Sequence, residues 1–215
     1  MTRPSTTLNS DQAHDGCDTT VLHALRVKGM ATAGALSVVA ALDDAAVEAA
    51  LGRIAGRGHA TFVDRRAVWR ITADGREHHR TVVVGLLDDP GRSRLRSLYE
   101  DFLTVNGEAK QACSDWQIRD GEPNPHDDGD YDQAVLDRVA SVYDRVDVLL
   151  GDMSMVCRRL DGYRSRLGAA LEAVRHGDTR RLTGFGCASF HELWMELHED
   201  LIQLLGIDRA AEGSS

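Results

Sequence analysis

The chain has 215 residues, enough for one or two cores, with 42% hydrophobic residues and only 5% aromatic ones. Its formal net charge is −9, which speaks against a uniformly basic nucleic-acid-coating protein. No apolar run approaches the ~20 residues that span a bilayer, so no membrane partner is expected.

Residues 1–20 are rich in Ser, Thr and Asp and lack an apolar stretch. They are expected to be a disordered arm and not a secretory signal. The four cysteines, Cys17, Cys113, Cys157 and Cys187, show no C-x-x-C spacing. They are expected as free thiols, and the protein as cytoplasmic.

Three helical segments follow. The first carries Val21, Leu22, Leu25 and Val27 and stops at Gly29, a fitting C-cap. Thr32 is placed to cap the second, in which Leu36, Val39 and Leu42 keep helical spacing. Asp43 and Asp44 favour the start of the third, because carboxylates suit a helix N-terminus. Val47, Leu51 and Ile54 line one face of it, and Gly56 and Gly58 end it.

A two-stranded ribbon comes next. Phe62-Val63 leads to a polar reversal at Asp64-Arg65-Arg66, and Val68 to Ile71 returns. Thr72 and Asp74-Gly75 are expected to close it as a turn. The order helix–helix–helix–ribbon is that of a winged helix, which places a helix in the major groove of DNA.

Two stretches carry a family resemblance. WRITADGR after a basic turn resembles the wing and following helix start of MarR-type winged-helix regulators. LGRIAGRGHATF resembles the end of their recognition helix and the entry into the wing. The resemblance covers about 60 residues and implies a winged-helix DNA reader. The chain beyond Thr81 does not match the family's short dimerisation helices and is read as an appended effector or dimerisation domain.

Charge supports a DNA-facing head. Residues 21–80 hold nine Lys and Arg against six Asp and Glu, whereas residues 81–215 hold fifteen against twenty-five. Candidate DNA contacts are Arg26, Lys28, Thr32, Arg53, Arg57, Arg65 and Arg66. The two wing-tip arginines suit a minor groove or phosphates, or form a solvated turn. The third helix opens instead with Asp43, Asp44, Ala45, Ala46 and Glu48, which offer no Arg or Asn to a base edge.

The apolar run TVVVGLLDDPGR is expected as a linker or short strand ending in a Pro-Gly turn, with a domain boundary in 88–91. Beyond it, Leu95, Tyr99, Phe102, Asn106, Ala109, Cys113 and Trp116 fall in alternating steps of four and three, a heptad stripe on one helix. Asn106 interrupts that stripe. It either fixes register with another helix or, with Lys110, Asp115 and Trp116, forms a small-molecule patch. The loop around His126, Asp127, Asp128 and Asp130 lacks the alternation of a hard-metal loop.

Leu136, Val139, Tyr143, Val146, Leu150, Met153, Cys157 and Leu160 form a second stripe. It predicts helices over 132–160 and 163–176, broken at Asp161-Gly162. A last helix over 189–205 carries Leu193, Leu197, Leu201 and Leu204 inside and Glu192, Glu196 and Glu199 outside. His191 and His198, seven apart, are read as boundary residues and not as a metal pair. Residues 208–215 are expected to be a frayed tail.

No nucleophile elbow, phosphate loop, dinucleotide fingerprint or H-E-x-x-H motif occurs. No enzyme, cofactor or metal is therefore expected. The fold class expected is mainly α: an N-terminal winged helix (21–88), with three helices and a β-ribbon wing, then a C-terminal helical bundle (91–207). The expected function is a homodimeric regulator of transcription that binds double-stranded DNA and answers to a small-molecule effector. The alternative is a winged helix that has lost DNA and docks a protein.

Overall fold

The computed structural model describes residues 10–207, with side chains from Asp15 onward. The expected tail over 208–215 and the first nine residues of the expected arm lie outside the described residues. The chain is mainly helical with a small antiparallel sheet, and it divides into two compact units at Leu86/Leu87. That division falls just ahead of the 88–91 boundary expected from sequence.

In the first unit, helix α1 spans Ser10–Lys28. The sequence places its start near Val21, so half of the expected arm is helical. The reason is tertiary. The N-terminal half has little apolar periodicity, but Asp18 is buried under Arg53 of the third helix and Arg57 just past its end, and Cys17 packs on the same helix. Gly29, at φ 71°, ends α1 where expected.

Strand β1 (Met30–Ala31) leads into α2 (Ala33–Ala40), which is capped by Thr32 accepting from the Ala35 amide at 3.2 Å. Helix α3 (Asp44–Gly56) is capped by Asp43, which accepts from the Ala46 amide at 2.8 Å. Its buried face is Val47, Ala50, Leu51 and Ile54. Strands β2 (Ala60–Val63) and β3 (Val68–Ile71) pair antiparallel around a 3-10 turn at Asp64–Arg66. β1 joins the other edge of β3, so the sheet order is β1-β3-β2.

Helix α4 spans Ala73–Val83. The helix start implied by the WRITADGR resemblance is present here, whereas the turn expected at Asp74-Gly75 and the linker or strand expected over the following valines give way to this helix. Thr72 caps it, accepting from the Gly75 amide at 2.9 Å, and Asp74 sits in its first turn. Those N-terminal signals outweigh the β-branched run at its end. The core of this unit gathers Val21, Leu22, Leu25, Leu36, Leu51 and Ile54 around α1.

The second unit is a helical bundle. Helix α5 (Asp89–Gln117) holds Pro90-Gly91 in its first turn, not in a turn before it, because Asp88 caps the helix. Every residue of the expected α5 stripe is buried. A short hairpin of β4 (Ile118–Arg119) and β5 (Glu122–Pro123) leads into α6 (Gly129–Val156). Ion pairs Glu108–Arg145 and Asp115–Arg138 tie α5 to an antiparallel α6.

The α6 stripe enters one residue early: Val135 and Val142 are buried, while Leu136 and Tyr143 are half-buried. The helix breaks at Cys157, not at Asp161-Gly162. A 3-10 turn over Arg158–Leu160 follows, then α7 (Asp161–Arg175) and a short α8 (Arg180–Thr183) absent from the sequence reading. Helix α9 (Phe190–Leu205) begins with a capping box of Ser189 and Glu192 and ends at Gly206. Its four leucines face inward as expected, but Glu196 is buried as well, because Arg166 pairs with it at 2.7 Å.

Candidate nucleic-acid and ligand sites

The β2–β3 ribbon follows from local sequence. Phe62 and Trp69 oppose one another in the β2–β3 register, with ring centroids 5.2 Å apart. Their contact fixes which residues reach the reversal. There Arg65 and Arg66 are exposed, and neither forms an ion pair with a described residue.

The other predicted basic residues are differently placed. Arg53 donates from Nε at 3.0 Å and from Nη2 at 2.7 Å to Oδ1 of Asp18, and Arg57 reaches Oδ2. Asp18 is 5% exposed. The carboxylate is thus held by two guanidiniums, and its hydrogen bond raises the pKa of Arg53. Arg26 and Lys28 lie half-buried in the last turn of α1. Thr32 spends its hydroxyl oxygen on the α2 cap.

The outward surface of α3 carries Asp44, Ala45, Glu48, Ala49 and Gly52. The outward residues of α2 are Gly34 and Val38, followed by Ala41. This surface is small, apolar and acidic at its margin, with no Arg, Asn or Gln for a base edge.

Of the expected effector patch on α5, Asn106 and Lys110 line one surface groove, while Asp115 and Trp116 turn to other neighbours. Asn106 is buried, and its Oδ1 accepts from the indole N–H of Trp194 on α9 at 2.8 Å. Lys110 borders a shallow surface groove beside Asn106. Asp115 turns to α6, accepting from Arg138 at 2.7 Å and from Gln111 at 2.6 Å. Trp116 is buried against His126, with centroids 4.4 Å apart. Of the two readings of Asn106, the structure supplies the partner that the register reading requires.

The acidic loop is more ordered than its composition implies. His126 adopts φ 55° and its Nδ1 lies 2.9 Å from Oδ2 of Asp132. Buried Asn124 braces it, donating to the Trp116 carbonyl at 3.2 Å and to Asp132 at 3.0 Å. His198 bonds the Tyr99 hydroxyl at 3.0 Å, so it serves the α5–α9 contact. Among the described residues, no group of three or more His, Cys, Asp or Glu is placed to hold a metal ion.

Two polar features escape sequence reading. The first joins α7 to α9: Arg159 and Tyr163 both donate to Asp200, which is fully buried. Burial, then the Asp200 charge, pushes the Tyr163 hydroxyl well above its ordinary range. Arg159 lies in the 3-10 turn that follows the break of α6 at Cys157. The second is a cavity of about 230 Å³ in the first unit, lined by α1, the end of α3, His59 and α4. The buried Nδ1 of His59 has no hydrogen-bond partner, and its ring stacks on His78 at 4.2 Å. A signal was available: polar Asp18 and Thr19 directly precede the apolar run of Val21, Leu22 and Leu25, and His78-His79 sits in a short amphipathic helix.

Among the described residues no helix is long and apolar enough to cross a membrane. Comparison with protein-family models, with curated proteins and with solved structures finds no match for this chain.

Proposed function

We propose that the chain is a regulator of transcription whose first unit is a winged helix that binds double-stranded DNA, joined to a helical domain for effector sensing or dimerisation. The observation that carries this reading is the wing. Elements run α1-β1-α2-α3-β2-β3 with sheet order β1-β3-β2, and the β2–β3 tip presents two arginines without ion-pair partners among the described residues. In this reading the wing and backbone contacts supply the affinity, and α3 reads little sequence. Arg53 and Arg57 hold Asp18 of α1 in this reading.

A gel shift with duplex DNA across a salt series tests it. Binding should weaken steeply as salt rises, because wing arginines release counterions from phosphates. No binding at low salt to pooled genomic fragments would sink the reading.

One observation favours a second reading, a protein-docking winged helix. The α2–α3 surface of Gly34, Val38, Ala41, Ala45, Ala49 and Gly52 is smooth, and Asp44 and Glu48 beside it repel phosphate. Under that reading, replacing Glu48 with Lys leaves DNA binding absent. Under the regulator reading, the same change strengthens it.

A further inference from the structure

The cavity of the first unit has the make-up of a binding site and not of a packing fault. Packing faults are apolar and dry. This one combines an apolar floor of Leu22, Ile54 and Val82 with ionisable groups at its walls. Pockets for small molecules commonly have that composition.

The charges are ordered. Asp18 is already satisfied by Arg53 and Arg57. That leaves one cation in excess at this wall, and the Arg57 side chain is 44% exposed. Asp15 is exposed on α1 and makes no ion pair with a described residue. The cavity therefore offers one positive and one negative group to an occupant. The stacked rings of His59 and His78 line the same cavity, with the buried Nδ1 of His59 open to one more hydrogen bond. Burial lowers the proton affinity of His59, as do His78 and Arg57, so this ring tends to be neutral and presents a hydrogen-bonding edge rather than a charge.

We propose that this cavity binds a small zwitterion of the α-amino-acid class. Its carboxylate meets Arg57, its ammonium meets Asp15, and its side chain lies on Leu22, Ile54 and Val82. A volume of about 230 Å³ suits a molecule of that size. The site lies against the last turn of α3, so occupancy presses directly on the helix that carries the outward α2–α3 surface. The proposal does not depend on DNA binding, only on the first unit.

The test uses the full chain. Each of the twenty common amino acids is titrated in a thermal-shift assay, beside the amine and the carboxylic acid that each contains. At least one amino acid should raise Tm by about 2–4 °C in a saturable way, and neither of its singly charged halves should do so. The Asp15→Asn protein should lose that rise while keeping its unliganded Tm, because Asp15 is exposed. In proton NMR of the ring resonances, the same amino acid should move His59 and His78 and leave His176 in place. Three results would overturn the proposal: no amino acid shifts Tm, a carboxylic acid alone shifts it equally, or Asp15→Asn responds like the native chain.

Discussion

Trp194 donates its indole N–H to the side-chain oxygen of Asn106, and both residues are buried where α5 meets α9. The polar break in the α5 heptad stripe is thereby matched to one partner, and the register of two helices 88 positions apart is set. Replacing Asn106 with Leu strands the indole donor. The loss should be about 1–3 kcal/mol, the usual cost of an unsatisfied buried group. Trp194→Phe removes the donor but also costs packing, and combining the two changes should cost less than their sum. Urea unfolding of the four proteins measures this. Full additivity would show that the bond does not couple the helices.

How far this was legible is clearest at α3 and α1. α3 has a capping aspartate and apolar residues at helical steps, so its limits and buried face could be read directly. The first half of α1 has neither; it is held by Asp18 meeting Arg53 and Arg57, residues 35 and 39 positions away. Nothing local announces such a pair. α4 is legible in part: the WRITADGR resemblance implies a helix start at its cap, but the β-branched run at its end argues for a linker or strand. The α5 stripe was correct in every position, yet Asp115 and Trp116 proved to face different neighbours. A stripe gives burial, and it does not give the partner across the interface.

The tip of the β2–β3 ribbon makes a separate prediction. If Arg65 and Arg66 contact phosphates, changing both to Ala should weaken binding for every duplex tested and flatten the slope of log K against log salt by about 1–2. The change should leave Tm nearly unaltered, because both side chains are exposed on a turn. An unaltered slope with unaltered affinity would remove the β2–β3 tip from the interface.

Stability should fall with acidity in two steps. Burial lowers the His59 pKa below its ordinary 6.5, helped by His78 and Arg57 and opposed by Asp74. The unfolded chain therefore holds that proton more tightly. The contribution is intact above pH 6.5 and is lost as pH falls through the window just below it. Asp147 behaves as a carboxylate held low by the hydrogen bond from Arg164, against some desolvation. Its contribution is intact above pH 3.8 and disappears only below that value. His59→Gln should flatten the upper step, followed by Trp69 in the first unit, and leave the lower one untouched. Identical upper steps in the two proteins would assign the loss to another group.

Gly75 and Gly107 should respond with opposite sign to the same substitution. Both lie inside helices, α4 and α5, where Ala is favoured over Gly by about 0.8–1.0 kcal/mol. At Gly107 nothing stands within 4 Å of an added methyl group. Gly107→Ala should therefore stabilise the second unit by about 0.5–1 kcal/mol. At Gly75 the methyl carbon would fall 2.0 Å from the His59 carbonyl oxygen and 3.0 Å from Cγ1 of Ile71. The carbonyl cannot withdraw freely, since it accepts from the Thr72 amide at 3.1 Å just before α4 begins. Forcing α4 away also disturbs the wall of the cavity that His59 and His78 share. Overpacking of this kind costs about 1–3 kcal/mol, more than the helix gains. Gly75→Ala should therefore lower the unfolding midpoint of the first unit while Gly107→Ala raises that of the second. A rise in both would mean that α4 does not rest on the His59 backbone, and that the cavity wall is not where the ring stack puts it.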